Sequence, residues 1–167
     1  MVKVTDLRCE YKSNPVGIGE RHPRISWKLQ SDERAVSQSA YEIEVAEDDQ
    51  FASLIWSSGT VTSSQSVHVE LNEVEAQSCK RYYYRVRVIS QAGQESDWSD
   101  TAFWEMGIMA GETWVGEWIT TPSSLIPEAS TQPPLLRRGF QIDSAIKQAR
   151  IYATALGLYE LELNGQR

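Results

Sequence analysis

A chain of 167 residues with 41% hydrophobic side chains, six Trp and seven Tyr has enough apolar mass for a packed core, which excludes global disorder. Its net charge of −7 and isoelectric point near 4.9 lack the basic footprint of nucleic-acid binding and disfavour anionic membrane surfaces, so the charge reads as solubility. No apolar run approaches the ~20 residues of a membrane-spanning helix, and the opening MVKVTDLRCEY has no apolar signal core, so the expected location is cytoplasmic.

Residues 2–8 predict a short opening strand. Asn14-Pro15 and the Gly17-x-Gly19 pair mark an irregular loop. The glycine pair is read as a turn, because a phosphate cradle needs a strand leading tightly into it and a helix leaving it. Over residues 24–29, Ile25, Trp27 and Leu29 share one face and Arg24, Ser26 and Lys28 the other, which predicts a half-buried strand with Trp27 deep in the core. A polar connection from Gln30 to Ser39 leaves Arg34 exposed. Residues 40–46 alternate again, with Tyr41, Ile43 and Val45 inward and Glu42 and Glu44 outward. Paired carboxylates are what a glycosidase needs, but these two share a strand face with no pocket to raise one pKa, and they read as a solvated face.

Glu47-Asp48-Asp49-Gln50 is a charged turn without EF-hand spacing, so no calcium is assigned. Residues 54–58 form a short strand around Trp56. Residues 66–71 form another, with Val67, Val69 and Leu71 on one face and His68 on the opposite, exposed one. His22 is 46 residues from His68, in a loop, and zinc is not expected. Cys9 and Cys79 lie 70 residues apart with no metal or CxxC spacing and are read as reduced thiols.

Residues 82–90 give the longest alternation: Tyr82, Tyr84, Val86 and Val88 against Tyr83, Arg85, Arg87 and Ile89. Ala92-Gly93 turns the chain, and Ala102, Trp104 and Met106 mark the return strand, 101–106. Seven strands in about 105 residues predict a mainly β fold, an immunoglobulin-like or fibronectin type III-like sandwich. The fibronectin type is favoured because no cysteine pair flanks the core Trp. Tyr82, at the start of the sixth strand, suits a tyrosine corner. In Ser96-x-Trp98-Ser99, Trp98 is expected to lie over Arg85 and Arg87 and to pin the last two strands together. The alternative reading of this motif is a partner-binding surface.

The composition changes after Gly107. Residues 108–134 are read as a connecting segment, with Trp114 to Ile119 apolar enough to pack and Thr120 to Pro134 rich in Thr, Ser and Pro. Residues 135–167 predict the first strands of a second β-domain: 135–142, 148–156, and a last one with Tyr159, Leu161 and Leu163 inward. Asn164-Gly165 is a hairpin signal. The second domain is read as truncated, so that the functional protein is longer.

The ordered set Pro15-Val16-Gly17-Ile18, Pro23-Arg24-Ile25-Ser26-Trp27, Gln38-Ser39-Ala40-Tyr41-Glu42-Ile43, Trp56-Ser57-Ser58-Gly59, Tyr82-Tyr83-Tyr84-Arg85-Val86, Trp98-Ser99, Phe103-Trp104-Glu105-Met106-Gly107, Trp114 and Trp118-Ile119 resembles the N-terminal region of bacterial α-L-rhamnosidases of glycoside hydrolase family 78. Gly157 to Gly165 resembles the start of that family's next β-sandwich. Tyr84 stands where the family commonly has Trp. The resemblance implies a parent with an (α/α)6 catalytic barrel beyond this region and an inverting mechanism with two carboxyl groups ~6.5–9.5 Å apart. None of those groups falls within residues 1–167, so no catalytic, cofactor-binding or metal position is assigned, no cofactor is expected, and the chain alone is expected to be inactive. The implied partners are the catalytic domain of the same polypeptide and a rhamnose-containing carbohydrate, with no nucleic acid or membrane. Two other readings remain: a stand-alone fibronectin-type interaction module, and a carbohydrate-binding module, for which Trp98, Tyr83 and Trp56 are the aromatics available for exposure.

Overall fold

The computed structural model describes residues 2–112, 114–122, 124 and 133–167, and the chain divides into two units, 1–112 and 113–167. In the first, eight strands form among the described residues: β1 (Lys3–Cys9), β2 (Val16–Ile18), β3 (Arg24–Gln30), β4 (Gln38–Ala46), β5 (Leu54–Ser57), β6 (Val69–Glu70), β7 (Arg81–Ser90) and β8 (Ala102–Met106). They make two sheets, ordered β1-β3-β6 and β2-β8-β7-β4-β5. Every pairing is antiparallel except β2 with β8. The mainly β sandwich follows from the period-two patterning. In β7 every second residue from Tyr82 to Ser90 is buried and every intervening one half-buried.

The core between the sheets is aromatic at its centre. Tyr82 stacks on Trp104 at 5.2 Å, and Tyr84 tilts against the same ring at 5.6 Å. Trp27 meets Tyr41 edge-on at 5.2 Å. Each such pair contributes about 0.5–1.5 kcal/mol beyond the area it buries. Trp27 brings one polar atom inside, and the chain answers it: Trp27 Nε1 donates to Gln38 Oε1 at 3.0 Å. Gln38 Nε2 in turn donates to the carbonyls of Ser63 and Gln65 at 3.0 and 2.9 Å. A buried amide with every donor used in this way fixes the β3–β4 geometry instead of weakening the core. Tyr82 makes its corner by accepting the Gln77 N–H on the phenolic oxygen at 2.8 Å.

In the first unit two sequence expectations are corrected. The Asn14–Gly19 segment is not wholly irregular, because Val16–Ile18 runs parallel to β8 as an edge strand. It is three residues long and carries a left-handed Gly17 (φ 84°), too short and interrupted for alternation to show. The strand over 66–71 shrinks to Val69–Glu70, and Val67 is exposed. His68 adopts φ 52°, which breaks the extended backbone and takes Val67 out of the inward row. Beyond Gly107, Met109 is still buried, and its N–H donates to Ser78 Oγ at 2.9 Å, so the first unit runs on through Glu112.

In the second unit Trp114 and Ile119 do not pack: they are exposed, as are Val115 and Trp118. The part of the Thr120–Pro134 segment at residues 123 and 125–132 lies outside the described residues. The expected strands 135–142 and 148–156 form no ladder among the described residues. Their apolar side chains Leu135, Phe140, Ile142 and Ile151 are exposed, as are Tyr159, Leu161 and Leu163. A strand pattern in sequence becomes a strand only where a second backbone answers its N–H and C=O groups. The Asn164-Gly165 turn does form. Leu163 and Gln166 exchange backbone bonds of 2.8 and 3.1 Å around two left-handed residues.

Candidate functional site

The outer face of the larger sheet carries the side chains that sequence reasoning singled out. Register places Glu42 opposite Arg87 and Glu44 opposite Arg85 on adjacent strands β4 and β7. The pairs close at 2.6 Å each, from Arg87 Nη2 to Glu42 Oε2 and from Arg85 Nη2 to Glu44 Oε2. Arg87 Nη1 also reaches Glu95 at 2.6 Å. The two glutamates are therefore half-buried and ion-paired instead of simply solvated, because cross-strand neighbours on one sheet face sit within reach of each other.

Trp98 lies over both guanidinium groups, with Arg85 Cζ 4.5 Å and Arg87 Cζ 4.7 Å from its ring centroid, and Arg85 Cζ is also 4.2 Å from the Phe51 ring. What holds Trp98 there is the pair of serines beside it. β8 pairs with β7 only from Arg81 to Tyr84. Past that point Ser96 and Ser99 replace the strand. Each gives its N–H to a β7 carbonyl (Val88 and Val86, both 2.9 Å), and its Oγ accepts the N–H of the same residue at 3.0 and 3.1 Å. The two hydroxyl protons go to the Asp97 and Asp100 carbonyls. Each hydroxyl thus both donates and accepts, and the motif braces β7 where its pairing with β8 ends.

Three further acidic groups, Asp48, Asp6 and Glu105, are likewise occupied. Asp48 accepts the N–H groups of Ala52, Ser53 and Gln50, which hold its carboxyl below the usual range. Asp6 is lowered by its contacts with Lys28 and Arg8. Glu105 is buried at 1% exposure, a placement the alternation of β8 does not suggest. It accepts from Arg81 Nε and Nη2 at 3.1 and 2.9 Å, while Arg81 sits 4.1 Å over Phe103. Among the described residues no group of three or more His, Cys, Asp and Glu side chains is placed to hold a metal ion. His68 packs edge-on to Tyr11. Cys9 and Cys79 are free thiols, the first buried and the second exposed.

A family model described as the Rha78A-like, N-terminal immunoglobulin domain matches residues 4–110. The chain belongs to this family. The α-L-rhamnosidase of Alteromonas sp. (strain LOR) is 35% identical over 164 residues, which take in 92% of this chain and 18% of that protein. The α-L-rhamnosidase of Streptomyces avermitilis is 35% identical over 133 residues, 78% of this chain and 13% of the relative. The crystal structure of the Streptomyces avermitilis α-L-rhamnosidase complexed with L-rhamnose matches with a TM-score of 0.71 over 75% of this chain and 12% of that one, at 35% identity. The structure of α-L-rhamnosidase from Dictyoglumus thermophilum gives 0.67 at 33% identity, over 72% and 14%. The chain thus spans less than a fifth of the length of these relatives.

Within this Rha78A-like domain the aromatics named for exposure, Trp98, Tyr83 and Trp56, are all half-buried. Trp56 donates its Nε1 to Glu73 at 2.9 Å. The exposed aromatic of the sandwich is one the alternation does not mark: Tyr11, in the turn after β1, 63% exposed beside His68, Arg24 and Glu10. Glu10-Tyr11 is not a turn-forming pair by composition, so no sequence signal points to it.

Proposed function

We propose that residues 1–167 are the non-catalytic N-terminal β-sandwich portion of an α-L-rhamnosidase. The parent would hydrolyse terminal α-L-rhamnosides with inversion, using carboxyl groups outside this chain. The observation that carries this reading is the family match over residues 4–110, joined to relatives that meet 92% of this chain with only 18% of their own length.

The carboxylates support the non-catalytic half. An inverting general acid must hold its proton near neutral pH, which requires a raised pKa. The carboxyl groups of Asp6, Glu10 and Asp48 are all displaced downward. Glu42, Glu44 and Glu105 are each engaged by an arginine. The exposed Leu135, Phe140, Ile142 and Ile151 support a longer polypeptide, since apolar surface of this kind is usually covered in a complete fold. The brace on β7 then has a mechanical role, keeping a rigid sandwich that packs beside the catalytic barrel.

Expression of the whole reading frame that contains this chain tests the proposal. The expected result is release of L-rhamnose from an aryl α-L-rhamnoside, with the β-anomer appearing first by proton NMR. An α-anomer appearing first removes the inverting mechanism, and absence of release removes the rhamnosidase reading.

A further inference from the structure

The turn that follows β1 violates the local rules of its own geometry. Cys9 and Lys12 exchange backbone bonds of 2.9 and 3.0 Å around Glu10 and Tyr11, whose φ values are 46° and 67°. A two-residue turn with both central residues left-handed suits Asn-Gly, the pair this chain uses at 164–165. A glutamate and a bulky aromatic are poor choices there. His68, also left-handed at φ 52°, is fixed by its N–H to Ser26 Oγ at 2.9 Å. Three strained residues from two distant segments therefore meet at one point. Such strain gathers where a local conformation positions a functional group.

The strain holds an aromatic platform open to solvent. The Tyr11 and His68 rings meet at 4.7 Å and 78°, and Arg24 Cζ lies 5.9 Å from the Tyr11 centroid. Arg24 is immobilised by Glu10, whose Oε1 accepts from Arg24 N at 2.7 Å and Nε at 3.1 Å and whose Oε2 accepts from Nη2 at 2.7 Å. That arrangement leaves Arg24 Nη1, the Tyr11 hydroxyl and the His68 ring nitrogens without hydrogen bonds among the described residues. A fixed apolar ring face bordered by unused donors and acceptors matches one side of a pyranose: C–H groups over the ring, hydroxyls at its rim. Because Glu10 neutralises Arg24, the cluster favours a neutral sugar over an anionic one.

We propose that Tyr11, His68 and Arg24 form a surface contact site for a neutral deoxyhexopyranose, L-rhamnose or a rhamnoside, on the first unit. The identity of the sugar rests on the rhamnosidase reading above, while the existence of the site rests on the strained turn. The site is shallow and carries few contacts, so its affinity falls in the millimolar range.

The test is an amide NMR titration of the 15N-labelled 167-residue chain with L-rhamnose, with D-glucose in parallel. The expected result is saturable shifts at Cys9 to Lys12, Arg24 and His68 with L-rhamnose, weakened about tenfold or more in Tyr11→Ala. Tyr11→Gly relieves the left-handed strain, so it should keep or raise Tm while losing the sugar response. No shift at these amides, an equal response to D-glucose, an unchanged response in Tyr11→Gly, or a lowered Tm in that variant each overturns the site. Absence of shifts while the full-length protein still releases rhamnose removes the site alone. Shifts without rhamnose release remove the rhamnosidase reading alone.

Discussion

Replacing Ser99 by Ala should destabilise the sandwich far more than the loss of one surface hydroxyl suggests. Ser99 Oγ is the acceptor for the Val86 N–H, and Val86 is fully buried in the centre of β7. No β8 residue is paired with β7 at that level, since their register ends at Tyr84. Alanine leaves the amide with nothing to donate to, and an unsatisfied buried donor costs about 1–3 kcal/mol. For a domain near 110 residues each kcal/mol shifts Tm by roughly 4 °C, so a fall of about 4–12 °C is expected. Ser96→Ala should act alike through Val88, whose N–H depends on Ser96 Oγ. The double variant should lose at least as much as either single one. Thermal unfolding followed by near-ultraviolet circular dichroism reads the effect, with exposed Ser64→Ala as the control. A Ser99→Ala shift no larger than that of Ser64→Ala would refute the view that these serines stand in for a strand.

Trp98→Ala removes two guanidinium contacts worth about 0.5–1 kcal/mol each, and a double-mutant cycle with Arg87→Met should show coupling of that size; zero coupling would mean that Trp98 acts only through buried area. Ellman's reagent should titrate Cys79 quickly in the native chain and Cys9 only after denaturation. Burial pushes the Cys9 thiol from 9.0 up to about 12, so its contribution to stability is whole below pH 9 and is lost as pH rises from there towards 12; Cys9→Ala should flatten that decline. Hydrogen bonds from the Arg24 side chain, then from its backbone N–H, lower the Glu10 carboxyl from its ordinary 4.5. Its stabilising contribution is present above that value and is lost as pH falls through the lower folded value, so Glu10→Gln should destabilise at pH 7 and lessen the acid-induced drop in Tm. An acid limb of the stability curve unchanged in Glu10→Gln would contradict that assignment.

The parts of the fold legible in the sequence are those where two faces of a strand contrast. β4 sets Tyr41, Ile43 and Val45 against Glu42 and Glu44, and β7 sets Tyr82, Tyr84, Val86 and Val88 against arginines; both are placed within a residue or two. The stacking of Trp98 on Arg85 and Arg87 was legible for the same reason, since period two put both arginines on one face. β2 was not, because a three-residue strand paired in parallel to an edge has no alternation to read. In residues 135–163 apolar periodicity is present but no ladder forms among the described residues, because no second backbone is there to answer it. The two left-handed turns show the limit most plainly. Asn164-Gly165 announces itself because those residues tolerate positive φ. Glu10-Tyr11 adopts the same geometry against preference, held by Arg24, a tertiary contact that composition cannot reveal. Glu105 is hidden similarly: a charge in a buried position is explained only by the Arg81 that register brings opposite.

The central proposal is that this chain serves a rhamnosidase without carrying its chemistry. The most direct measurement compares p-nitrophenyl α-L-rhamnoside hydrolysis by the 167-residue chain with hydrolysis by the full reading frame, under identical conditions. The account predicts turnover by the full protein and none above blank by the 167-residue chain. Hydrolysis by the 167-residue chain alone would contradict it.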